Sequence, residues 1–186
     1  MVGKRGKIVS LFKRGKIVTL TLEINNLGYA ADRDLYRPQL IEYLKQQEGK
    51  LCENCRRRID ANPLRVLDCK VPECRAATDA APRLADSLSD KACAHFGSVL
   101  AGLDALKIPY SLNHRLVRGL DYYGLTTIEV TSTSLGAQNA VGAGGRYDGL
   151  VEMLGGPSTP AVGFAVGLER MAMMLPQMNR ACAFQP

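Results

Sequence analysis

Short strand-like runs separated by glycine-rich segments fill the last part of the sequence, and they restrict the folds open to it. Runs at 110–112, 126–131 and 162–166 have the length and residue types of β-strands, and Gly142-Ala143-Gly144-Gly145 predicts a turn between two of them. Helices are expected at 148–154 and 168–175. Strands and helices do not alternate regularly, so we expect an α+β fold with an antiparallel sheet and flanking helices.

The first part of the sequence predicts one strand followed by a helix. Apolar and polar residues alternate from 18 to 24, which is the period of a half-buried strand. A helix is predicted at 35–47, with Pro38 in its first turn, where proline is tolerated. Its apolar stripe consists of Leu40, Ile41 and Leu44.

Two further helices are predicted before residue 110. A short one spans 52–60, and a longer one begins at the Ser89-Asp90 cap. Prolines interrupt the segment 62–82 between them, so loops and turns are expected there, in the place most suited to an inserted substructure. The longer helix has an apolar face made of Phe96, Val99, Leu100, Leu103 and Leu106.

The positive charge of the chain is confined to its beginning. The sequence has 24 basic and 18 acidic residues, and six of the basic ones lie in residues 1–18, which contain no acid. The rest of the chain is therefore neutral. The leader repeats the motif Lys-Arg-Gly-Lys-Ile-Val, and it is either an arm that binds RNA phosphates or a solvated, non-native extension.

Length and composition favour a cytoplasmic protein of one domain, or of one domain with a small appendage. The chain has 186 residues, 46% of them hydrophobic, which is enough for a sizeable core. The apolar stretch 161–175 is broken by Glu169 and Arg170, so no transmembrane helix is expected. The start of the chain lacks the apolar core and cleavage site of a secretory signal.

Three segments carry the side chains and backbone suited to a ligand site. The first is Arg118-Gly119-Leu120-Asp121-Tyr122-Tyr123, in which an arginine fork and two phenol rings suit an anion and a planar ligand. Alternatively, Arg118 pairs with Asp121 and the tyrosines fill the core. The second segment contains Gly144 and Gly145, which let backbone approach a neighbour closely. The third, 163–170, places Arg170 in the first turn of a helix, where anions are favoured.

In this order the three segments resemble the C-terminal half of the catalytic domain of histidyl-tRNA synthetases, a class II family. The run Arg-Gly-Leu-Asp-Tyr-Tyr, the run Gly-Gly-Arg-Tyr-Asp at 144–148 and the run at 163–170 are similar to successive motifs of that family. Residues 20–109, with Asn-Pro-Leu-Arg-Val-Leu-Asp at 62–68, are similar to its helical insertion. The resemblance implies part of the class II antiparallel sheet.

The resemblance also implies a division of the chain into four parts. Residues 1–18 are the basic leader, 19–109 a strand plus the helical insertion, 110–178 a portion of the catalytic core, and 179–186 a tail.

The same resemblance implies the activation of histidine by ATP with Mg²⁺, followed by transfer of the histidyl group to tRNA(His). Arg118 then acts as the catalytic arginine at the α-phosphate and the substrate carboxylate. Tyr122 and Tyr123 then line the pocket for the imidazole. Gly144 and Gly145 let the backbone approach the amino acid closely. Arg170 binds the phosphates of ATP that are farthest from the ribose.

Parts of the family pattern are missing from the chain. Nothing before residue 19 resembles the dimerisation motif or the second motif with its ATP-binding arginine, and no anticodon-binding domain follows residue 177. We expect a fragment that is inactive alone, and the homodimer of the family is not expected to carry over. Two alternatives are a histidine-sensing regulatory subunit of histidine biosynthesis and a small zinc-stabilised RNA-binding module.

Four of the six cysteines are clustered in the sequence. Cys52 and Cys55 have the C-x-x-C spacing of zinc ligands, and Cys69 and Cys74 follow with a wider C-x4-C spacing. The four thiolates are candidate ligands of a structural zinc ion. Alternatively, they are reduced and partly buried thiols.

Overall fold

One mostly antiparallel sheet organises the molecule. The computed structural model describes residues 9–10, 19–119, 122–136 and 139–175, so most of the basic leader, Asp121 and the tail at 179–186 lie outside the described residues. The described strands run in the order β1-β2-β4-β5-β6, with β3 beside β2. They are β1 Val9–Ser10, β2 Thr19–Asn26, β3 Ser111–Leu112, β4 Gly124–Ser132, β5 Ala140–Arg146 and β6 Val162–Val166.

The sheet confirms the expected class, with two differences. The strand β3 runs parallel to β2, so the expectation that 110–112 joins antiparallel neighbours is wrong. The chain leaves β2 and returns through several helices, the kind of long connection that allows parallel pairing. The predicted turn at 142–145 is also wrong, because these residues lie within β5, paired with both β4 and β6.

Glycine explains why β5 has a turn-like sequence. A Cβ on Gly144 would overlap the carbonyl oxygen of Gly163 and lie 2.7 Å from Cβ of Phe164. On the other side, a Cβ on Gly145 would lie 2.7 Å from the carbonyl oxygen of Thr126. The residues that predict a turn are the residues that let three strands lie this closely together.

Seven α-helices occur in the described residues. They are α1 Ala30–Gln46, α2 Glu53–Ala61, α3 Leu64–Leu67, α4 Pro72–Ala77, α5 Asp90–Ala105, α6 Leu150–Met153 and α7 Leu168–Met174. The helices predicted at 52–60, from Ser89 and at 168–175 are confirmed. The segment 62–82 contains two short helices, α3 and α4, where only loops and turns were expected.

The helix α1 begins five residues earlier than predicted, which places Pro38 in its interior. The missing N–H of Pro38 removes the hydrogen bond to the carbonyl of Asp34, and both residues are exposed, so water can replace that bond. Asp32 caps the N-terminus of α1 and so explains why the helix begins before residue 35. Its carboxylate accepts hydrogen bonds from the Tyr29 amide and from both the amide and the hydroxyl of Ser89. One buried side chain therefore joins the beginnings of α1 and α5.

The main core lies between α1 and the short helices rather than on the sheet. The predicted stripe of α1 is confirmed, since Leu40 and Leu44 are fully buried and Ile41 is partly buried. They pack with Leu51, Cys55, Ile59, Val66 and Cys74. The 19–109 region thus carries its own hydrophobic cluster, which reaches the C-terminal region through Val117 and Tyr123. None of the described helices has the length and apolar character needed to cross a membrane.

Several apolar side chains of the outer strand and its neighbouring helices face solvent. Val162 and Phe164 of β6 are each 78% exposed, and Leu168 of α7 is 75% exposed. In α5, Ala92 is the residue that is buried, while the predicted apolar face from Phe96 to Leu106 is at most half-buried. The α5 helix is amphipathic as predicted, but this structure does not cover its apolar face.

Candidate functional site

Arg118 lies above the middle of the sheet, beside an acidic residue of β4. Glu23 of β2 and Glu129 of β4 are cross-strand neighbours and therefore share one face of the sheet. A guanidinium nitrogen of Arg118 lies 3.8 Å from a carboxylate oxygen of Glu129, and the guanidinium carbon lies 5.2 Å from the centre of the Tyr123 ring. Nε of Arg118 is buried and has no hydrogen-bond partner among the described residues. An anion with an oxygen at this point would satisfy it.

Three tyrosines form an aromatic cluster beside Arg118. The ring centres of Tyr122 and Tyr123 are 4.8 Å apart, and Tyr147 meets both rings edge-on at 5.7 and 5.8 Å. A Cβ on Gly163 would overlap the Tyr147 hydroxyl, so this ring lies directly over β6. Burial of Tyr122, together with the neighbouring phenols of Tyr123 and Tyr147, raises its pKa.

Two adjoining clefts bring three of the six predicted substrate-site residues together. One, of about 140 Å³, contains Arg118, and the other, of about 290 Å³, contains Tyr122. Tyr123 and Arg33 line both clefts. A larger cleft of about 680 Å³ lies beside Cys52 and contains none of the predicted substrate-binding residues. The predicted grouping of Arg118 with the two tyrosines therefore occurs in the fold, whereas the alternative partner Asp121 is outside the described residues.

The other predicted site residues lie in or next to the sheet. A Cβ on Gly145 would lie 3.1 Å from the Tyr123 ring, so this glycine borders the aromatic cluster. A guanidinium nitrogen of Arg170 donates to the Ala140 carbonyl at 2.8 Å. Ala140 pairs with Thr131 of β4. Thr131 lies two residues from Glu129, which is roughly 7 Å along the same strand. The roles of both glycines and of Arg170 at a ligand stay predictions.

Sequence reasoning missed several residues of this site. Arg33 of α1 enters the clefts while donating to the carbonyls of Leu27 and Gly28, and no motif marked it. Arg146 binds Asp148 with its Nε and lies 2.9 Å from Nε2 of His95. Burial and the neighbouring Arg146 lower the pKa of His95, so its imidazole is neutral at pH 7 and Nε2 accepts the hydrogen bond.

Glu129 provides a test of the electrostatics around Arg118. Burial raises the pKa of Glu129 above its ordinary 4.5, although Lys70 and Arg118 act in the opposite direction. A raised pKa in the folded state means that Glu129 favours folding below pH 4.5 and that this contribution is lost as the pH rises through the raised value. We expect Glu129→Gln to stabilise the chain at pH 7 and to have little effect at acidic pH.

Urea unfolding at both pH values measures this effect. Glu42→Gln, at an exposed position of α1, is the matched control and should leave the free energy of unfolding unchanged. An equal effect of Glu129→Gln at both pH values would contradict the burial of an ionised carboxylate beside Arg118.

The four clustered cysteines come together in the fold. Their sulfur atoms all lie within 4.8 Å of one another, a spacing that one zinc ion can bridge. A hydrogen bond from the Cys55 backbone lowers the pKa of Cys52 to about 7, whereas burial raises the pKa of Cys55 and Cys74. The cluster lies within the helical region, away from the two clefts that contain Arg118 and Tyr122.

Comparisons with known proteins agree with the motifs. A family model described as histidyl-tRNA synthetase matches residues 39–171. The chain belongs to the histidyl-tRNA synthetase family. Proteins named histidine–tRNA ligase from Desulfatibacillum aliphaticivorans and Trichlorobacter lovleyi are 54% and 52% identical to it over 152 and 165 residues. The crystal structure of apo S. aureus histidyl-tRNA synthetase matches with a TM-score of 0.65 and 35% identity.

The match to the histidyl-tRNA synthetase family covers most of this chain but a minor part of its relatives. The two curated relatives align with 82% and 89% of the chain, yet with only 36% and 39% of their own length. The S. aureus structure aligns with 88% of the chain and 40% of its own. The expected partial coverage of a synthetase is thus confirmed, and the α+β sheet corresponds to part of its fold.

Proposed function

We propose that this chain supplies part of a histidine-activating site, which joins histidine to ATP and passes the histidyl group to tRNA(His). The observation that carries the proposal is the buried, unpartnered Nε of Arg118 beside the Tyr122–Tyr123 pair. An anion receptor next to an aromatic wall suits a substrate with a carboxylate at one end and an imidazole at the other. Membership of the histidyl-tRNA synthetase family supports the same assignment.

In the proposed first step, a carboxylate oxygen of histidine attacks the α-phosphorus of ATP. A new carboxyl–phosphate bond forms, the bond from the α-phosphorus to the bridging oxygen breaks, and pyrophosphate leaves with the electron pair. Arg118 binds the carboxylate and the α-phosphate, whose negative charges must approach one another. A fixed guanidinium in a partly desolvated cleft stabilises that arrangement more than water does.

In the second step, a ribose hydroxyl at the end of tRNA attacks the activated carbonyl and forms an ester. The bond from the carbonyl carbon to the phosphate oxygen breaks, and AMP leaves with that electron pair while the hydroxyl proton passes to a phosphate oxygen of AMP. Tyr122 and Tyr123 are assigned to the imidazole, and their flat rings hold it while the carboxyl group reacts at Arg118. Gly144 and Gly145 are assigned to the approach of the amino acid, and Arg170 to the β- and γ-phosphates.

The proposal includes the other components that the reaction requires. ATP enters as its Mg²⁺ complex, and tRNA(His) is the macromolecular partner. A zinc ion in the four-cysteine cluster would be structural, because four thiolates leave no open position for a substrate. A cytoplasmic location fits a reaction that consumes ATP and tRNA.

Histidine binding tests the aromatic part of the proposal. We expect weak, saturable binding of labelled histidine in equilibrium dialysis, weakened about tenfold by Tyr122→Ala through the loss of ring contacts. Tyr110→Ala, which removes a half-buried tyrosine outside both clefts, is the matched control. Equal histidine affinity of the Tyr122→Ala and wild-type chains would contradict the assignment.

A further inference from the structure

The four-cysteine cluster joins three short helices that carry little stabilisation of their own. Cys52 caps α2, Cys55 lies in its first turn, Cys69 follows α3, and Cys74 lies within α4. These helices have nine, four and six residues, lengths at which an isolated helix does not persist in water. Something besides helix propensity must hold them together.

The arrangement of the sulfur atoms fits a tetrahedral ion. With Zn–S bonds of about 2.3 Å, the four sulfurs of a tetrahedral site lie about 3.8 Å apart. All four sulfurs already lie within 4.8 Å of one another, so small rotations of the side chains complete the site. A disulfide framework would need two close pairs, whereas here each sulfur lies near all three others.

Hydrogen bonds and burial also suit metal-bound thiolates. The amide of Cys52 donates to the sulfur of Cys74 at 3.1 Å, so one ligand already has an outer partner of the kind that supports metal sites. Cys55 and Cys74 are fully buried, and Cys52 and Cys69 are partly buried. Basic residues directly follow three of the ligands, as Arg56, Lys70 and Arg75. They would offset the excess negative charge of four thiolates around one divalent ion.

We propose that Cys52, Cys55, Cys69 and Cys74 bind one structural Zn²⁺ ion that holds α2, α3 and α4 together. The ion replaces part of the hydrophobic core that such a small substructure lacks, as metals do in other small domains. Its four ligands come from this chain alone, and the site does not depend on the proposed reaction.

Arg115 connects the zinc-binding substructure to the segment that carries Arg118. Its guanidinium donates to the Thr78 hydroxyl at 2.8 Å and to the Arg75 carbonyl at 3.0 Å, and it reaches the Leu67 carbonyl at 3.4 Å. These acceptors lie on both sides of Cys69 and Cys74. The metal therefore also restrains the segment 113–119, with Arg115 as a positioning residue three positions before Arg118.

Metal analysis of the full 186-residue chain tests the zinc site. After dialysis against a chelator, we expect about one equivalent of zinc in the wild type and in Cys93→Ser, whose exposed thiol is outside the cluster. We expect Cys52→Ser and Cys69→Ser to lose most of it. Wild-type protein with no zinc and four reactive cluster thiols would overturn the proposal, and so would full zinc content in both cluster variants.

Two further readouts keep the test decisive if a cluster variant fails to fold. Cobalt added to the metal-free wild-type chain should give the thiolate charge-transfer and visible bands of a tetrahedral four-sulfur site, and an octahedral spectrum would overturn the proposal. Hydrogen exchange of the wild type should quicken about tenfold at 64–79 and 113–119 on metal removal, with β5 unchanged. Unchanged exchange at both segments would overturn the structural role.

Discussion

Purified alone, the 186-residue chain is expected to give no detectable histidine-dependent ATP–pyrophosphate exchange. The chain spans about two fifths of the length of the relatives it matches. Adenylate formation needs both substrates held in line, and a misplacement of about 1 Å can cost roughly a hundredfold in rate. Arg118 and Arg170 alone do not provide that precision.

The exchange assay needs a full-length histidyl-tRNA synthetase as its positive control under the same conditions. Robust exchange by this chain, abolished by Arg118→Ala, would contradict the prediction. It would show that the chain, alone or as an oligomer, assembles a complete histidine-activating site.

Gly144→Ala is expected to be among the most destabilising single-methyl changes in the sheet. The added Cβ overlaps the Gly163 carbonyl oxygen and lies 2.7 Å from the Cβ of Phe164, so β5 and β6 must separate. Overpacking of this kind typically costs about 1–3 kcal/mol, and backbone atoms on the opposing strand place this case at the upper end. The free energy of unfolding in urea measures the loss.

Gly97→Ala is the matched control for this substitution. Gly97 lies inside α5, and a Cβ there meets nothing within 4 Å. The same methyl group should therefore stabilise the chain by about 0.5–1 kcal/mol, because alanine is the better helix former. A Gly144→Ala chain as stable as the wild type would contradict the close packing of β5 on β6.

The spacing of apolar residues predicted those elements in which the apolar side is also the buried side. The alternation of β2 and the stripe of α1 both follow the side that is buried, and Leu22, Ile24, Leu40 and Leu44 are buried as expected. The strand β5 was not predicted because its glycines are required by the close approach of β4 and β6. Those strands are distant in the sequence, so a short stretch around β5 does not reveal them. The start of α1 was missed because Asp32 is fixed by Ser89, a residue 57 positions away.

The candidate site was predictable where consecutive residues carry it and unpredictable where the fold assembles it. Arg118, Tyr122 and Tyr123 lie within six residues of sequence and share adjoining clefts. Arg33 and Glu129 approach them from a helix and a strand that carry no motif signal. Clustering in the sequence also predicted all four cysteines as one candidate site, although the C-x4-C spacing of Cys69 and Cys74 is wider than that of Cys52 and Cys55, and the fold brings the four sulfurs together.

Arg118 is proposed to form the anion-binding part of a histidyl-adenylate site. Calorimetric titration of a non-hydrolysable histidyl-adenylate analogue tests this assignment, using the wild type, Arg118→Ala and Arg83→Ala, the last at an exposed position between α4 and α5 and outside both clefts. We expect saturable binding by the wild type and by Arg83→Ala, and binding weakened about 10- to 100-fold by Arg118→Ala through the loss of charged hydrogen bonds. Absence of binding by the wild type, or equal affinity of all three chains, would contradict it.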